Sequence, residues 1–274
     1  RIALGGTRAQ PTLGGQARLE AFTAELPSLA ISLRDGDVRM DAQPDGSARI
    51  VGSVRSGEGV VRVDGTLGWM SDDTPLRLAV RGENVLVSDT RELRAVVDPD
   101  LTVRYAAGQP IAVSGSVRIP SAKLDLERLD AGVSASEDVV VLDPANPERE
   151  RASPLDLDLA LVMGNDVRLH GFGLDGTLGG SVRMRARPGR ETVATGSLDV
   201  DGRYTAYGQK LQITRGRLVW SNNAFGDPVL DIRAQRAVGS VTAGIDVRGR
   251  ASAPEANVWS DPATSESEAL SYLA

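Results

Sequence analysis

Apolar side chains recur at every second residue through most of this chain, and that spacing limits the fold more than any other feature. Leu155, Leu157, Leu159 and Leu161 alternate with Asp156, Asp158 and Ala160. On a helix these leucines would scatter around the axis, whereas on a strand they share one face. The pattern repeats at Leu29, Ile31, Leu33; Val38, Met40; Ile50, Gly52, Val54; Val61, Val63, Gly65, Leu67; Leu101, Val103, Tyr105; and Ile111, Val113, Gly115, Val117, Ile119. It continues at Val182, Met184, Ala186; Leu198, Val200; Leu211, Ile213; Leu230, Ile232, Ala234; and Val241, Ala243, Ile245, Val247. The positions between are largely Asp, Arg, Ser and Thr.

Turn-forming dipeptides punctuate these runs: Asp35-Gly36, Asp45-Gly46, Asn165-Asp166, Asp175-Gly176 and Pro188-Gly189. The spacing predicts an all-β chain of short strands joined mostly by short turns, which favour antiparallel pairing. Two longer loops are expected, at 143–153 and from Trp220 to Pro228. The first separates an N-terminal part, 1–142, from a C-terminal part, 154–263, with the same strand character. Gly52, Gly65, Gly115 and Gly196 fall at apolar-face positions, where glycine lets a sheet bend or fits an ordinary bulge. A short helix is expected within 264–274, because Ser265 and Glu268 have capping-box spacing ahead of Ala269, Leu270, Tyr272 and Leu273. Ala17 to Leu26 carries Leu19, Phe22 and Leu26 at roughly helical spacing and forms a second helix candidate.

Composition removes several kinds of function. The 274 residues include no Cys and one His, so there is no disulfide framework, thiolate metal site or multi-histidine site, and His-dependent chemistry would rest on His170 alone. A formal net charge of −6 argues against a dedicated nucleic-acid binder. No apolar run approaches the roughly 20 residues of a transmembrane helix. The chain reads as a segment of a longer protein, so any anchor lies outside it.

About 18 strands spaced roughly 4.8 Å apart would make a sheet on the order of 85 Å long, which must curl or fold to hide its apolar side. Three solutions exist: a dry sandwich or closed barrel, a membrane barrel, or a bent trough. Membrane barrels carry aromatic girdles, and aromatics are only 4% of this chain. Asp231, Arg233, Asp246 and Arg248 also mark the outward face as one that belongs in water. An aliphatic trough suits acyl chains, and a sandwich core short of large aromatics is harder to fill. Pattern alone leaves these two open.

One stretch narrows the choice. Gly202-Arg203-Tyr204-Thr205-Ala206-Tyr207-Gly208-Gln209-Lys210-Leu211-Gln212-Ile213 precedes Arg215-Gly216-Arg217-Leu218. Pro228 to Ala234, Val247 to Ala251, Pro254, Ser260-Asp261-Pro262 and Glu268 to Leu273 follow. Over 199–273 their order and spacing resemble the C-terminal domain of the TamB family, the translocation and assembly modules of diderm bacteria. The resemblance implies an elongated, strongly curved, mostly antiparallel sheet, often called a β-taco, with an aliphatic open groove and a short C-terminal helix. It also implies a periplasm-spanning parent protein anchored in the inner membrane, carrying phospholipid between inner and outer membranes and meeting a TamA-like outer-membrane barrel.

On that reading the groove is lined by Leu155, Leu157, Leu159, Leu161, Val182, Met184, Leu198, Val200, Leu211, Ile213, Leu218, Trp220, Leu230, Ile232, Val241, Ile245 and Val247. The alternative for the same residues is a filled core without lipid, in a structural or chaperone-like module that pairs its sheet edge with outer-membrane strands. No catalytic residue, cofactor, metal or nucleic acid is expected on either reading. His170 reads as a strand residue beside a turn. Asp35, Asp37, Asp41 and Asp45 lack EF-hand spacing. Arg215 and Arg217 read as outward charges that keep strands soluble, and Tyr204 and Tyr207 as packing residues flanking a turn. The terminal helix reads as an end cap, with a plug or gate as the alternative.

Overall fold

A computed structural model describes residues 2–7, 10–68, 74–130, 155–206 and 208–273. The strands are β1 (Ile2–Thr7), β2 (Gln10–Leu26), β3 (Ile31–Ala42), β4 (Ser47–Ser56), β5 (Gly59–Gly68), β6 (Leu76–Glu83), β7 (Val85–Asp89) and β8 (Leu93–Tyr105). They continue as β9 (Ile111–Asp125), β10 (Leu155–Gly171), β11 (Leu174–Ala186), β12 (Val193–Ala206), β13 (Gln209–Ala224), β14 (Val229–Val238), β15 (Val241–Arg250) and β16 (Ala253–Asp261). Two short helices, α1 (Leu126–Asp130) and α2 (Glu266–Ser271), complete the described elements with a single 3-10 turn at Pro27–Leu29.

All the described strands belong to one 16-stranded sheet, which follows chain order from β1 to β16 and does not close. Only β7 leaves the sequence: β6 and β7 both pair with β8. Neighbours are antiparallel except β9 and β10, which run parallel with Leu155 beside Ile111 and Leu169 beside Leu124. This is where hairpin logic ends. The link from Asp125 to Leu155 is long, and parallel neighbours need a long connection. The loop expected at 143–153 lies outside the described residues.

Register aligns the alternating apolar runs of successive strands on one face. Leu19 stands opposite Val38, Val38 opposite Gly52, Gly52 opposite Val63, and Val63 opposite Val80. The row continues through Leu101, Gly115, Leu159, Met184 and Ala194. In the last strands Leu218, Leu230 and Gly249 form one row, and Ala234, Ile245 and Val258 another. Gly115 shows why the recurrent glycines are there. Its φ is +138°, and a Cβ on it would stand 2.2 Å from the Asp100 carbonyl oxygen on β8. Only glycine allows the backbones to approach that closely.

The opposite face is laced with ion pairs between neighbouring strands. Arg18–Asp37 (2.8 Å), Arg49–Asp64 (2.9 Å), Arg81–Asp100 (3.1 Å) and Arg233–Asp246 (2.8 Å) all lie there. Such pairs add little stability singly, but they hold this side of the sheet in water and set which side is buried.

Several expectations need correction. Residues 17–26 are strand, not helix: one residue is added in β2 between Leu19 and Phe22, and one in β3 across from the Phe22–Ala24 step. Ala21 sits in the left-handed region at φ 48°. Bulges thus produced a spacing that looked helical. Asp35-Gly36, Asn165-Asp166 and Asp175-Gly176 are inside strands, the first two at bulges, whereas Asp45-Gly46 and Pro188-Gly189 do lie between strands. Trp220 belongs to β13, so the loop expected from Trp220 shrinks to the few residues after Ala224. Among the described residues the strands number 16, several of them long and bulged.

Candidate functional site: an apolar face with one closed margin

The seventeen residues expected to line a groove share the apolar face. Leu157, Leu159 and Leu161 lie beside Val113, Gly115 and Val117 on one side and Ala186, Met184 and Val182 on the other. Val200 lies opposite Leu178, Leu198 opposite Leu218, and Ile232 opposite Val247. Ile213 lies opposite Ala234 and Val241 opposite Val238.

Burial divides this face into two regions. Near the strand ends that meet the turns at 57–58, 171–173 and 239–240, it is packed. Leu169, Val200, Leu211, Ile213, Ala234 and Ala243 form one cluster, completed by Leu273 from the chain end beyond α2. Leu211, Ala243 and Leu273 are 0% exposed. Ala95, Ala122 and Val167 make a second cluster along the same margin. Farther toward the amino-terminal strands, β7 covers this margin, burying Val85, and Ser56 donates a 2.5 Å hydrogen bond to the Leu86 carbonyl.

Away from this margin most of the face is only half-buried. Leu155, Leu157, Leu159, Leu161, Met184, Leu218, Leu230, Ile232, Val241, Ile245 and Val247 all retain partial exposure. So do Val38, Val63, Val80, Leu101, Val103, Val113 and Val117. All of these but Val80 belong to the period-two runs of the sequence, and register places them on the same apolar face as the seventeen. A smaller packed group, Val182, Ala194, Leu198 and Trp220, interrupts the half-buried zone. There the Trp220 indole donates to the Phe225 carbonyl at 2.9 Å and stacks on the Phe225 ring.

The helix at the chain end forms as expected. The Ser265 hydroxyl accepts from the Glu268 amide at 3.3 Å, the N-cap half of a capping box. A six-residue helix is unstable alone, so burial of Ala269 and Leu273 supplies its anchorage. Of the two tyrosines flanking the β12–β13 turn, Tyr204 packs against the main cluster; Tyr207 lies outside the described residues.

The charged face holds a cleft of ≈ 1220 Å³ between β3 and β8. Its walls include Arg39, Arg49, Asp64, Arg81 and Asp100, already committed to pairs: Arg39 with Asp41, Arg49 with Asp64, Arg81 with Asp100. His170 sits on this polar side, opposite Asp175, beside a smaller cleft. Asp35 pairs with Arg55, Asp37 with Arg18, and Asp45 accepts from Ser47, which holds its carboxyl below the usual range. Among the described residues no cluster of His, Cys, Asp or Glu has the makings of a metal site. Arg215 and Arg217 pair with Asp231 and Asp199 across strands of the polar face. No described helix is long and apolar enough to cross a membrane.

The arrangement is that of an open-sheet protein whose one apolar face is covered along a margin and left partly exposed along its length. The TamB C-terminal domain family model matches residues 48–274, and the chain belongs to that family. It is 27% identical over 294 residues to the translocation and assembly module subunit TamB of Haemophilus influenzae. That similarity covers 100% of this chain and 22% of the relative, so the chain corresponds to a fraction of such a protein.

Proposed function

We propose that this chain forms part of a conduit along which lipid acyl chains move, within a periplasm-spanning parent protein anchored in the inner membrane and supporting outer-membrane biogenesis. The observation that carries this reading is the single half-exposed aliphatic face running across strands from β2 to β16. Soluble proteins rarely leave such an area uncovered without using it.

The physics is partition. Moving an acyl CH₂ from water to an apolar wall is worth about 0.8 kcal/mol, so a two-tailed phospholipid crosses water slowly. Along a wall of repeated aliphatic side chains its free energy is nearly level, because each step exchanges one methylene contact for an equivalent one. The wall comprises the half-buried residues named above, and the clusters around Leu211 and Ala122 form a dry margin beside it. Polar headgroups ride in water along the wetted rim of the wall. Family membership supports the assignment, as does the relative named for translocation and assembly.

The test is lipid recovery. Protein purified without added lipid is extracted and analysed by mass spectrometry, and photocrosslinkers at Leu159, Ile232 and Val80 are assayed for acyl adducts. Phospholipid in the extract with adducts at all three positions is the expected result. Lipid-free protein whose photocrosslinkers react only with neighbouring side chains would overturn the proposal.

A second reading rests on a different feature. β16 ends the sheet order with β15 on one side only, and Ala253 to Asn257 are exposed. An edge of this kind accepts an added strand, as a TamA-like outer-membrane barrel would provide. Proline at Asn257 would abolish capture of such a barrel and leave bound lipid unchanged if this reading holds.

A further inference from the structure

Across the described strand pairings, the apolar face carries one charged side chain, Arg236. Register through β14 and β15 is unbroken from Val229 to Val238, with Arg236 opposite Ala243. It therefore shares its face with Ala234 and Val238. Gln212 pairs with Gln235, so Leu211 and Arg236 are the next residues along β13 and β14. The flanking residues are closed to solvent: Leu211 and Ala243 at 0%, Ala234 at 3%. Tyr204 and Tyr272 pack on the same cluster. Many arginines of the opposite face have a carboxylate partner; Arg236 has none among the described residues.

A guanidinium in this position must run its stem over the apolar neighbours of the packed margin and hold its head in the water at that margin's rim. Arg236 is half-buried, so its head reaches water, and it has no carboxylate to engage there among the described residues. Its planar donor fork matches a phosphate bidentately. We infer that Arg236 is a headgroup-recognition residue: it engages the phosphodiester of a lipid whose acyl chains lie on the aliphatic wall. This deepens the conduit reading and rests on it. It adds selection of a phosphate-bearing lipid at one fixed point, beside α2.

The test compares two probes with the same fluorescent acyl chains, phosphatidylglycerol and neutral diacylglycerol, binding to the whole chain and to Arg236→Gln and Arg236→Lys. The expected result is about a tenfold or greater loss of phosphatidylglycerol affinity in Arg236→Gln, partial recovery in Arg236→Lys, and unchanged diacylglycerol binding. Thermal melts confirm that the variants fold. Equal effects on both probes, or a lowered melting temperature without discrimination, would make Arg236 a structural residue and overturn the inference. Displacement of the lipid by millimolar inorganic phosphate alone would make it a free-anion site and overturn it too. If neither probe binds wild-type protein, the conduit reading itself fails. If both bind equally well, only the headgroup inference fails.

Discussion

The ring of Phe22 occupies the space that a side chain on Gly36 would need: a Cβ there would stand 2.3 Å from Phe22 Cε1. The two residues are cross-strand partners at the point where β2 and β3 both bulge. Bulge, aromatic ring and glycine therefore form one unit. Gly36→Ala is expected to destabilise by about 1–3 kcal/mol through overpacking. Combined with Phe22→Ala it should cost less than the two single changes added, because the ring that clashes is gone. Urea denaturation of the four proteins measures the coupling, and simple additivity would refute the unit.

Charge placed on the half-buried wall separates conduit from core. Leu159 and Ile232 are partly exposed and lie on the apolar face. Leu159→Asp and Ile232→Arg are expected to leave strand content intact by circular dichroism, since the new charge can reach water. The same changes should cut bound phospholipid several-fold by mass spectrometry and stop transport in the full-length protein. Global unfolding would instead point to a packed interior at these positions.

Leu273 is the anchor of α2. It is 0% exposed and packs in the cluster containing Leu211, Ile213 and Ala243. Leu273→Ala is expected to cost about 2–5 kcal/mol, as buried leucine truncations do. Leu273→Asp should cost more, by burying an unpaired carboxylate. Hydrogen exchange should locate the loss in 264–273 and at the ends of β13–β15. Unchanged protection there would show that the chain end is not held by this contact.

Two carboxylates with arginine partners contribute to acid stability. A hydrogen bond from Arg183, reinforced by its charge, holds Asp158 below the usual carboxylate range. The Ser252 backbone amide does so for Asp227, with help from Arg250. A depressed folded-state value means the stabilising effect is present once the unfolded chain ionises, above about pH 4. It is lost as pH falls through the folded value. Melting temperature should stay level from pH 7 to about pH 5 and drop below about pH 4. Asp158→Asn should flatten part of that acid limb, and an unaltered acid limb in this variant would remove Asp158 from the account.

The covalent order of residues determined the all-β class, the polarity of the two faces and the short capped helix. Alternation along a strand is local: Leu155 to Leu161 can put their side chains together in only one regular conformation. Because every strand alternates, any in-register pairing yields one apolar face, so the residues assigned to it were legible without coordinates. Long-range pairing decided the rest. The residue added before Phe22 looks like helical spacing until Gly36 is seen across from it. The parallel match of Leu155 with Ile111 depends on a distant link and has no local mark. Arg236 is in phase with Leu230, Ile232 and Ala234, but only the unbroken register beside Ala243 shows that no bulge turns it to the other side. The split between a dry margin under Leu273 and a half-exposed wall around Leu159 was equally hidden. Side-chain direction is set by neighbouring bonds, whereas burial depends on what other strands bring across the sheet.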